Sequence, residues 1–293
     1  MHLKRTRGEK VFTVFNVAIL LFVSFITLYP ILYVIFASVS EPVRLIQNRG
    51  ILWAPLGFTT TAYRMVLQNR AIATGYMNTL FIVIVGTALN VAITAIAAYV
   101  LSRERYFWKR LFNLFVVITM LFSGGLIPFY ITIQRLGLMD SRWALILPTL
   151  LSTYNLMIMR TSFAGVPASL EESAKLDGAS DLVVLVRIIL PLSKAVIAVM
   201  VLFYGVAHWN SWFNAAIFLR DRNKYPLQLI LREILISNDT SAMGNELGAN
   251  DQEMISENIK YATIVVATLP VMCVYPFVQK YFVTGVMIGS VKG

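Results

Sequence analysis

Charged residues are scarce in this sequence. Asp, Glu, Lys and Arg together make up 14% of its 293 residues, whereas a typical soluble domain contains about 25%. Hydrophobic residues make up 58%, and the mean hydropathy is +0.71. A soluble protein of this size has too little interior to hide so much apolar surface, so the composition indicates a protein surrounded by lipid. It excludes a disordered chain, a collagen-like chain and a disulfide-rich secreted scaffold.

Cysteine and enzyme motifs are also nearly absent. The single cysteine, Cys273, cannot form an internal disulfide, and we interpret it as a small apolar residue in a helix. The sequence contains no H-E-x-x-H, no G-x-S-x-G, no Cys/His cluster and no G-x-x-x-x-G-K-[ST] phosphate loop. We therefore expect no catalytic residue, no metal ligand and no cofactor in this chain. If it moves a solute against a gradient, the energy comes from another protein.

Carboxylates are missing from long parts of the chain. Residues 42–103, 182–220 and 258–293 contain no Asp or Glu. Carriers driven by protons need ionisable groups at membrane depth, so proton coupling is disfavoured. Sodium coupling through carbonyls and hydroxyls stays open. For His208 we expect a neutral ring hydrogen-bonded to a neighbouring helix rather than a proton relay.

Six apolar runs are long enough to cross a bilayer, which takes about 20 residues in a helix. They are residues 11–39, 76–101, 111–133, 143–163, 195–219 and 261–288. The first run is too long for a cleaved signal peptide and can tilt or kink at Pro30. We therefore predict an all-α membrane protein with a cytoplasmic N-terminal tail over residues 1–10 and a transmembrane domain of six helices over residues 11–293.

Basic residues predict the orientation of these spans. Two dense clusters precede the first run and follow the second. They contain Lys4, Arg5, Arg7 and Lys10, and Arg103, Arg105, Lys109 and Arg110. Because Lys and Arg favour cytoplasmic connections, we place both clusters and both termini in the cytoplasm. The connection over about 164–194 is then cytoplasmic, and the one over about 220–260 is external. No contiguous basic face is present, so we expect no nucleic-acid partner.

The cytoplasmic connection contains a short predicted helix. Ser169 and Glu172 match the S-x-x-E capping box, which predicts a helix start at Leu170, and Gly178 is placed to end it. A second helical run over residues 181–190 leads to Pro191. So short a helix needs packing to be stable. Its small, apolar and acidic residues are consistent with docking into a soluble partner and equally with a solvated connector.

At these residues the sequence resembles a known family. The segment EESAKLDGAS followed by RIILP is similar to the EAA loop of ABC-importer permeases. Glu172, Ser173 and Ala174 stand at E-A-A, with Gly178 at its glycine and Pro191 at its proline. Ser173 replaces an alanine, and Lys175 replaces a residue that is often apolar. The resemblance implies a type I ABC importer permease fold in which this helix couples to an ATPase subunit. The implied coupling residues are Leu170, Glu171, Glu172, Ser173, Ala174, Leu176, Asp177, Gly178 and Pro191.

The resemblance extends to the rest of the chain. WNSWFNAAIFL resembles carbohydrate-type permeases, and FSGGLIPFYITIQRLGLMDS resembles the subfamily that imports polysaccharide fragments, for which alginate is one candidate cargo. It implies a subunit, not an enzyme, of an ATP-driven importer of oligosaccharides in the bacterial cytoplasmic (inner) membrane. The implied partners are a second related permease, two ATPase subunits that hold ATP and Mg²⁺, and an external or periplasmic solute-binding protein.

Aromatic and amide side chains in the fifth run are candidate sugar contacts, because sugars bind aromatic faces and hydrogen-bonding groups. Trp209 and Phe213 are four residues apart, as are Asn210 and Asn214, so each pair is predicted to share a helix face. Tyr154 and Asn155 are weaker candidates. Hydrogen bonding between helices and an interfacial aromatic belt are the alternative, and the partner permease could make most substrate contacts.

The external segment over about 220–260 is too long for an idle connection. It combines an amphipathic piece at residues 226–236 with a Gly/Asn-rich stretch at 237–250. In the resembled family this region reaches the solute-binding protein; a solvated flap is the alternative. For the whole chain, an ion-coupled secondary sugar carrier is the main competing function. A membrane enzyme lacks catalytic groups, and a receptor or scaffold would need no paired permease.

Overall fold

The computed structural model describes residues 6–103, 108–237, 257–274 and 276. All regular structure in these residues is helical, which confirms the predicted all-α class. The helices are α1 (Arg7–Ser38), α2 (Pro42–Gln47), α3 (Thr61–Gln68), α4 (Arg70–Ser102), α5 (Lys109–Leu121), α6 (Leu126–Arg135), α7 (Trp143–Ile146), α8 (Thr153–Ala164), α9 (Ala168–Leu176), α10 (Asp181–Leu192), α11 (Lys194–Trp209), α12 (Phe213–Phe218), α13 (Leu227–Ser237) and α14 (Glu257–Val274).

Three of the described helices, α1, α4 and α14, are each long and apolar enough to cross a membrane. Two further pairs meet this criterion only together, because each is bent at a break: α5 with α6 by 112°, and α10 with α11 by 88°. The described residues therefore provide three spans, or five if each bent pair counts as one. The predicted run over 143–163 is divided into α7, a 3₁₀ turn at Leu147–Thr149 and the 12-residue α8. The number six stays a prediction.

The predicted run over residues 111–133 forms two helices rather than one. Helix α5 ends at Leu121, and α6 begins at Leu126. The residues between them include two consecutive glycines, and Gly125 has φ +83°, a left-handed conformation that a residue with a side chain rarely adopts. The FSGG sequence therefore interrupts the helix because its glycines accept a turn that the apolar pattern alone does not reveal.

The described residues divide into two compact units. The first comprises residues 6–69, 233–237 and 257–268. Its α1 runs through Pro30 without a break and exposes apolar side chains along most of its length, as expected of a helix in lipid. The C-terminal end of α1 is buried, and the amide of Asn258 donates hydrogen bonds to the carbonyl oxygens of Ala37 and Ser40. The hydroxyls of Ser38 and Tyr63 lie 2.7 Å apart.

Helix α4 is central to the second unit, which comprises residues 70–103, 108–232, 269–274 and 276, and it packs against α8 and α11. Polar side chains pair across these contacts. The His208 ring lies 2.7 Å from Asn90 Oδ1, and the Asn90 amide donates to the carbonyl oxygen of Thr149. The hydroxyls of Thr94 and Tyr204 lie 2.7 Å apart. The prediction that His208 bonds to a neighbouring helix is confirmed.

Asp140 fastens the turn between α6 and α7 to the segment that follows α12. Its carboxylate accepts hydrogen bonds from the backbone N–H groups of Arg220 and Asp221, each at 3.0 Å, and lies 2.6 Å from Lys224 Nζ. Its own N–H donates to the carbonyl oxygen of Phe218 at 2.8 Å. The bonds from Asp221 and from Lys224 hold the pKa of the Asp140 carboxyl well below its usual value.

A glycine allows α4 and α11 to approach at His208. A Cβ atom on Gly86 would lie 2.5 Å from His208 Nε2, whereas a Cβ on Gly205 would have only ordinary contacts. We expect Gly86→Ala to displace the buried ring from Asn90 and to destabilise the protein by about 1–3 kcal/mol. Gly205→Ala, the matched control, should leave stability unchanged or raise it slightly. Thermal unfolding in detergent measures both, and equal midpoints would contradict the prediction.

The hydrogen bonds and the ion pair of Asp140 predict that the stability of the protein depends on pH. Because its pKa is lower in the folded protein than in the unfolded chain, the ionised carboxylate stabilises the fold. That contribution is fully present above the unfolded pKa of about 3.9 and is lost as the pH falls toward the folded pKa. We expect Asp140→Asn, which tolerates the left-handed φ of 55°, to lower the midpoint of thermal unfolding at pH 7. The difference between the unfolding midpoints of the variant and the wild-type protein should narrow below pH of about 4. A difference that does not change with pH would show that the charge is unimportant.

Candidate functional site

Helix α9 is a short helix between α8 and α10, and it begins earlier than the sequence pattern predicts. Its first residue is Ala168, its N-cap is Pro167, and no side chain caps it. The predicted capping box of Ser169 and Glu172 is therefore wrong. Pro167 explains the difference, since its ring holds φ at −56° and its missing N–H costs nothing where a helix has no acceptor for it.

The end of α9 agrees with the prediction from Gly178. This glycine has φ +83°, and its N–H donates to the carbonyl oxygen of Lys175 at 3.1 Å. The N–H of Ala179 donates to the carbonyl oxygen of Ala174 at 2.9 Å. These two bonds form a Schellman motif, which satisfies the last carbonyls of the helix. Because these carbonyls are bonded, α9 has a defined C-terminal end that does not fray.

Helix α9 has two chemically different faces. The inner face carries Glu171, which is 9% exposed, together with Ala174 and Lys175. The outer face is exposed and carries Leu170, Glu172, Ser173, Leu176 and Asp177. Leu176 is 89% exposed, an unusual position for a leucine on an ordered helix. The predicted coupling residues on α9 are therefore divided between a face that meets its own protein and a face that is exposed.

The inner face of α9 is held by an ion-pair cluster. Arg103 Nη1 lies 2.8 Å from Glu171 Oε2, and Lys175 Nζ lies 2.8 Å from Glu171 Oε1 and 2.9 Å from Asp181 Oδ1. The Tyr99 hydroxyl lies 3.4 Å from Glu171. From the sequence, Arg103 served only to predict the orientation and Lys175 only as a departure from the motif; no contact with Glu171 was predicted for either of them, for Asp181 or for Tyr99. The spacing of Glu171 and Lys175 by four residues could have indicated one pair, but nothing in the sequence indicates that Arg103 is near them.

The cluster keeps its groups ionised at neutral pH. Burial raises the pKa of Glu171, but the hydrogen bond from Lys175 and the charge of Arg103 outweigh it, so the net pKa is lowered. Hydrogen bonds to Glu171 and Asp181 raise the pKa of Lys175. The bond from Lys175 lowers the pKa of Asp181. Two cations and two anions therefore balance at the inner face.

Pro191 lies on α10 rather than beside the outer face of α9. A π-helical turn at Leu185–Ile189 ends two residues before Pro191, and the N–H of Ser193 donates to the carbonyl oxygen of Ile189 at 3.0 Å. Proline removes one N–H from the helix, and such turns accommodate the missing bond. The 88° bend that follows leads the chain into α11.

The candidate sugar contacts Trp209 and Asn210 do not lie on the same helix as Phe213 and Asn214. Helix α11 ends at Trp209, and α12 begins at Phe213, so the prediction of shared faces for Trp209 with Phe213 and for Asn210 with Asn214 is wrong. The Asn210 amide donates to the carbonyl oxygen of Val206, and the Ser211 hydroxyl donates to that of His208, both at 2.9 Å. Side chains that bond the last carbonyls of a helix compete with its continuation.

Two of these candidates are buried and the others are more open. Trp209 packs edge-on against Tyr76, with ring centroids 6.3 Å apart, and Asn155 is 7% exposed. The exposed ones are Asn210, Phe213 and Tyr154, and Asn214 is half-buried. In the described part of the chain, no group of His, Cys, Asp or Glu side chains could hold a metal ion.

Comparison with known proteins identifies the family. The family model described as "Binding-protein-dependent transport system inner membrane component" matches residues 80–288. Protein LplC of Bacillus subtilis (strain 168) is 42% identical over 288 residues, which cover 98% of this chain and 97% of LplC. The polygalacturonan/rhamnogalacturonan transport system permease protein YtcP of the same organism is 40% identical over 290 residues, which cover 97% and 99% of the two chains.

A solved structure shows the same fold. It is the crystal structure of a bacterial ABC transporter involved in the import of the acidic polysaccharide alginate, and one of its chains matches with a TM-score of 0.88 and 31% identity. The match covers 96% of this chain and 100% of that one, which confirms the type I permease fold. The family match covers well more than half of the sequence and agrees with the similarity to LplC and to this structure. The chain therefore belongs to the inner membrane components of binding-protein-dependent transport systems: it is an ABC importer permease, a transport subunit, and ATP is hydrolysed by a separate chain.

Proposed function

We propose that this chain is one of two related permease subunits of an importer that carries acidic oligosaccharides or polysaccharide fragments across the bacterial inner membrane. The observation that carries the proposal is the similarity over nearly the whole chain to YtcP and to the alginate importer, whose names refer to polygalacturonan and to an acidic polysaccharide. Two ATPase subunits would bind ATP and Mg²⁺, and an external solute-binding protein would deliver the sugar. No observation favours an ion-coupled carrier.

The outer face of α9 is the contact for an ATPase subunit in this proposal. It combines an almost fully exposed Leu176 with the small Ser173 and the acidic Glu172, so a partner cleft would gain apolar burial and charge complementarity. Burying a leucine side chain contributes about 1.5–3 kcal/mol. With both termini and α9 in the cytoplasm, ATP-driven closure of the ATPases displaces α9 and moves the membrane helices as rigid bodies. ATP must favour one of the two conformations of the importer over the other, or ATP hydrolysis and the movement of the membrane helices are not coupled.

Sugar contact is assigned to the open side chains near the break between α11 and α12 and at the start of α8. Phe213 and Tyr154 are 47% and 55% exposed, and each offers an aromatic face. Asn210 and Asn214 offer amide groups. Trp209 and Asn155 are buried, so they would support these contacts from behind rather than touch the sugar.

The external segment is the proposed contact for the solute-binding protein. Its first part is well fixed, since the Asn78 amide donates to the carbonyl oxygens of Asn223 and Tyr225, and the N–H of Leu227 donates to Thr79 Oγ1. The predicted amphipathic piece over 226–236 forms α13. The Gly/Asn-rich stretch lies outside the described residues except for Ser237, so its role stays a prediction.

Reconstitution tests the proposed function. The chain is placed in liposomes with its paired permease, its ATPases and the binding protein, and uptake of a labelled oligouronate is compared with that of a neutral oligosaccharide of equal length. We expect ATP-dependent uptake of the oligouronate at a rate at least about tenfold higher, the change that follows from 1.4 kcal/mol of discrimination. Uptake by the single chain without ATPases would instead support a secondary carrier. Equal uptake of both sugars would refute the acidic substrate class.

Gly178 provides a matched pair of variants for the coupling role. Both Gly178→Val and Gly178→Asn have room for a side chain, because a Cβ atom added to this glycine would have no other atom within 4 Å. A β-branched residue strains at φ +83°, whereas asparagine tolerates it. We expect Gly178→Val to distort the end of α9 and to lower sugar-stimulated ATPase activity about tenfold, within the usual range of coupling between sites. Gly178→Asn should stay within about twofold of the wild-type protein. Equal activities would remove this helix end from the mechanism.

A further inference from the structure

We propose that Arg103 and Glu171 are the positioning pair through which a displacement of α9 is transmitted to α4. The inference rests on the proposed contact between α9 and an ATPase subunit and adds the route by which motion leaves that helix. In this view the outer face of α9 receives the force, and the Arg103–Glu171 ion pair passes it to the membrane helices.

Apolar packing alone cannot fasten α9 firmly. Of the three side chains on its inner face, only Ala174 is apolar, and it is small. On the outer face, Leu176 is 89% exposed and buries little against this chain, and Leu170 is 43% exposed. The helix has nine residues and is too short to be stable in isolation. Its attachment therefore depends mainly on the charged contacts of Glu171 and Lys175.

Arg103 joins three helices at one point. It follows α4 directly, its Nη1 pairs with Glu171 on α9 at 2.8 Å, and its Nη2 donates to the carbonyl oxygen of Phe163 on α8 at 3.0 Å. Its guanidinium also lies over the Tyr99 ring, 5.1 Å from the centroid. A planar guanidinium can bond two partners in fixed directions, which a lysine ammonium cannot do in the same way. The Arg103–Glu171 contact therefore fixes the relative orientation of the two side chains in addition to attracting them.

The Arg103–Glu171 pair is better shielded than the other ion pairs of the cluster. The two side chains are 17% and 11% exposed, whereas Lys175 and Asp181 are 33% and 70% exposed. Exposed ion pairs contribute little, and removing one member of a buried pair leaves an uncompensated charge. Lys175 and Asp181 therefore help to orient Glu171 and link it to α10, while Arg103 carries the connection to α4.

Helix α4 is a suitable receiver for this motion. It is a continuous helix of 33 residues that packs against α8 and α11, and the Asn90–His208 and Thr94–Tyr204 contacts tie it to α11 at two levels. A stiff helix joined to its neighbours in this way moves them together rather than bending alone. A shift at Arg103 would then reach the end of α11, where the candidate sugar contacts begin.

The test uses the complete importer in proteoliposomes with three single variants. Arg103→Gln and Glu171→Gln each break the pair, and Arg110→Gln, an exposed basic residue of α5, is the matched control. Two quantities are measured: sugar molecules taken up per ATP hydrolysed, and crosslinking of Leu176→Cys to the ATPase in a Cys273→Ala background. The crosslink reports whether α9 still contacts the ATPase, so it separates contact from transmission.

We expect both pair-breaking variants to keep the crosslink and to lose about tenfold in uptake per ATP, while the control keeps both. The exchanged double variant, Arg103→Glu with Glu171→Arg, should recover part of the loss. Uptake per ATP equal to the control would overturn the proposal, as would loss of the crosslink in both variants, because the pair would then only hold α9 in place. If the Gln variants do not assemble, Arg103→Lys is judged by the same ratio. If Leu176→Cys does not crosslink to the ATPase in the protein that keeps both Arg103 and Glu171, the proposed contact between α9 and the ATPase is refuted instead.

Discussion

The packing of α4 against its neighbours depends on polar contacts between side chains, because the surrounding lipid offers no water as an alternative partner. In lipid, apolar side chains gain little by leaving the bilayer for another helix, so side-chain hydrogen bonds and close packing decide which helices associate. Asn90, Thr94 and Thr79 satisfy this requirement on α4 through bonds to α11, to the turn before α8 and to the start of α13. Gly86 permits the close approach of His208. These contacts hold α11, the turn before α8 and the start of α13 against α4.

At its C-terminal end, α4 meets a different environment. There the partners are the charges of Arg103, Glu171, Lys175 and Asp181, which attach α9 through its inner face. The opposite face of α9 keeps an almost fully exposed leucine. A helix that is held by ion pairs on one side and offers apolar surface on the other is suited to receiving a partner without detaching from its own protein. This arrangement of the two faces supports the proposed role of α9 as the contact for an ATPase subunit.

Local features of the sequence predicted local structure well. The all-α class follows from the apolar runs, and the end of α9 follows from Gly178, because a residue without Cβ accepts φ +83° at low cost. The bond of His208 to another helix also follows, since a buried ring in lipid needs a partner. The capping box failed because Pro167 starts the helix earlier, and the shared faces of Trp209 with Phe213 and of Asn210 with Asn214 failed because Asn210 and Ser211 cap the end of α11.

By itself, the sequence determined that this protein is surrounded by lipid, that it is helical, and that its connection over about 164–194 resembles the EAA loop of importer permeases. These properties depend on composition, on short apolar periods and on single residues such as Gly178, all of which act locally. Only the tertiary structure decided that Glu171 turns inward to Arg103 while Leu176 stays exposed. The two members of that pair are separated by 68 residues along the chain, and packing of α4, α8 and α9 brings them together.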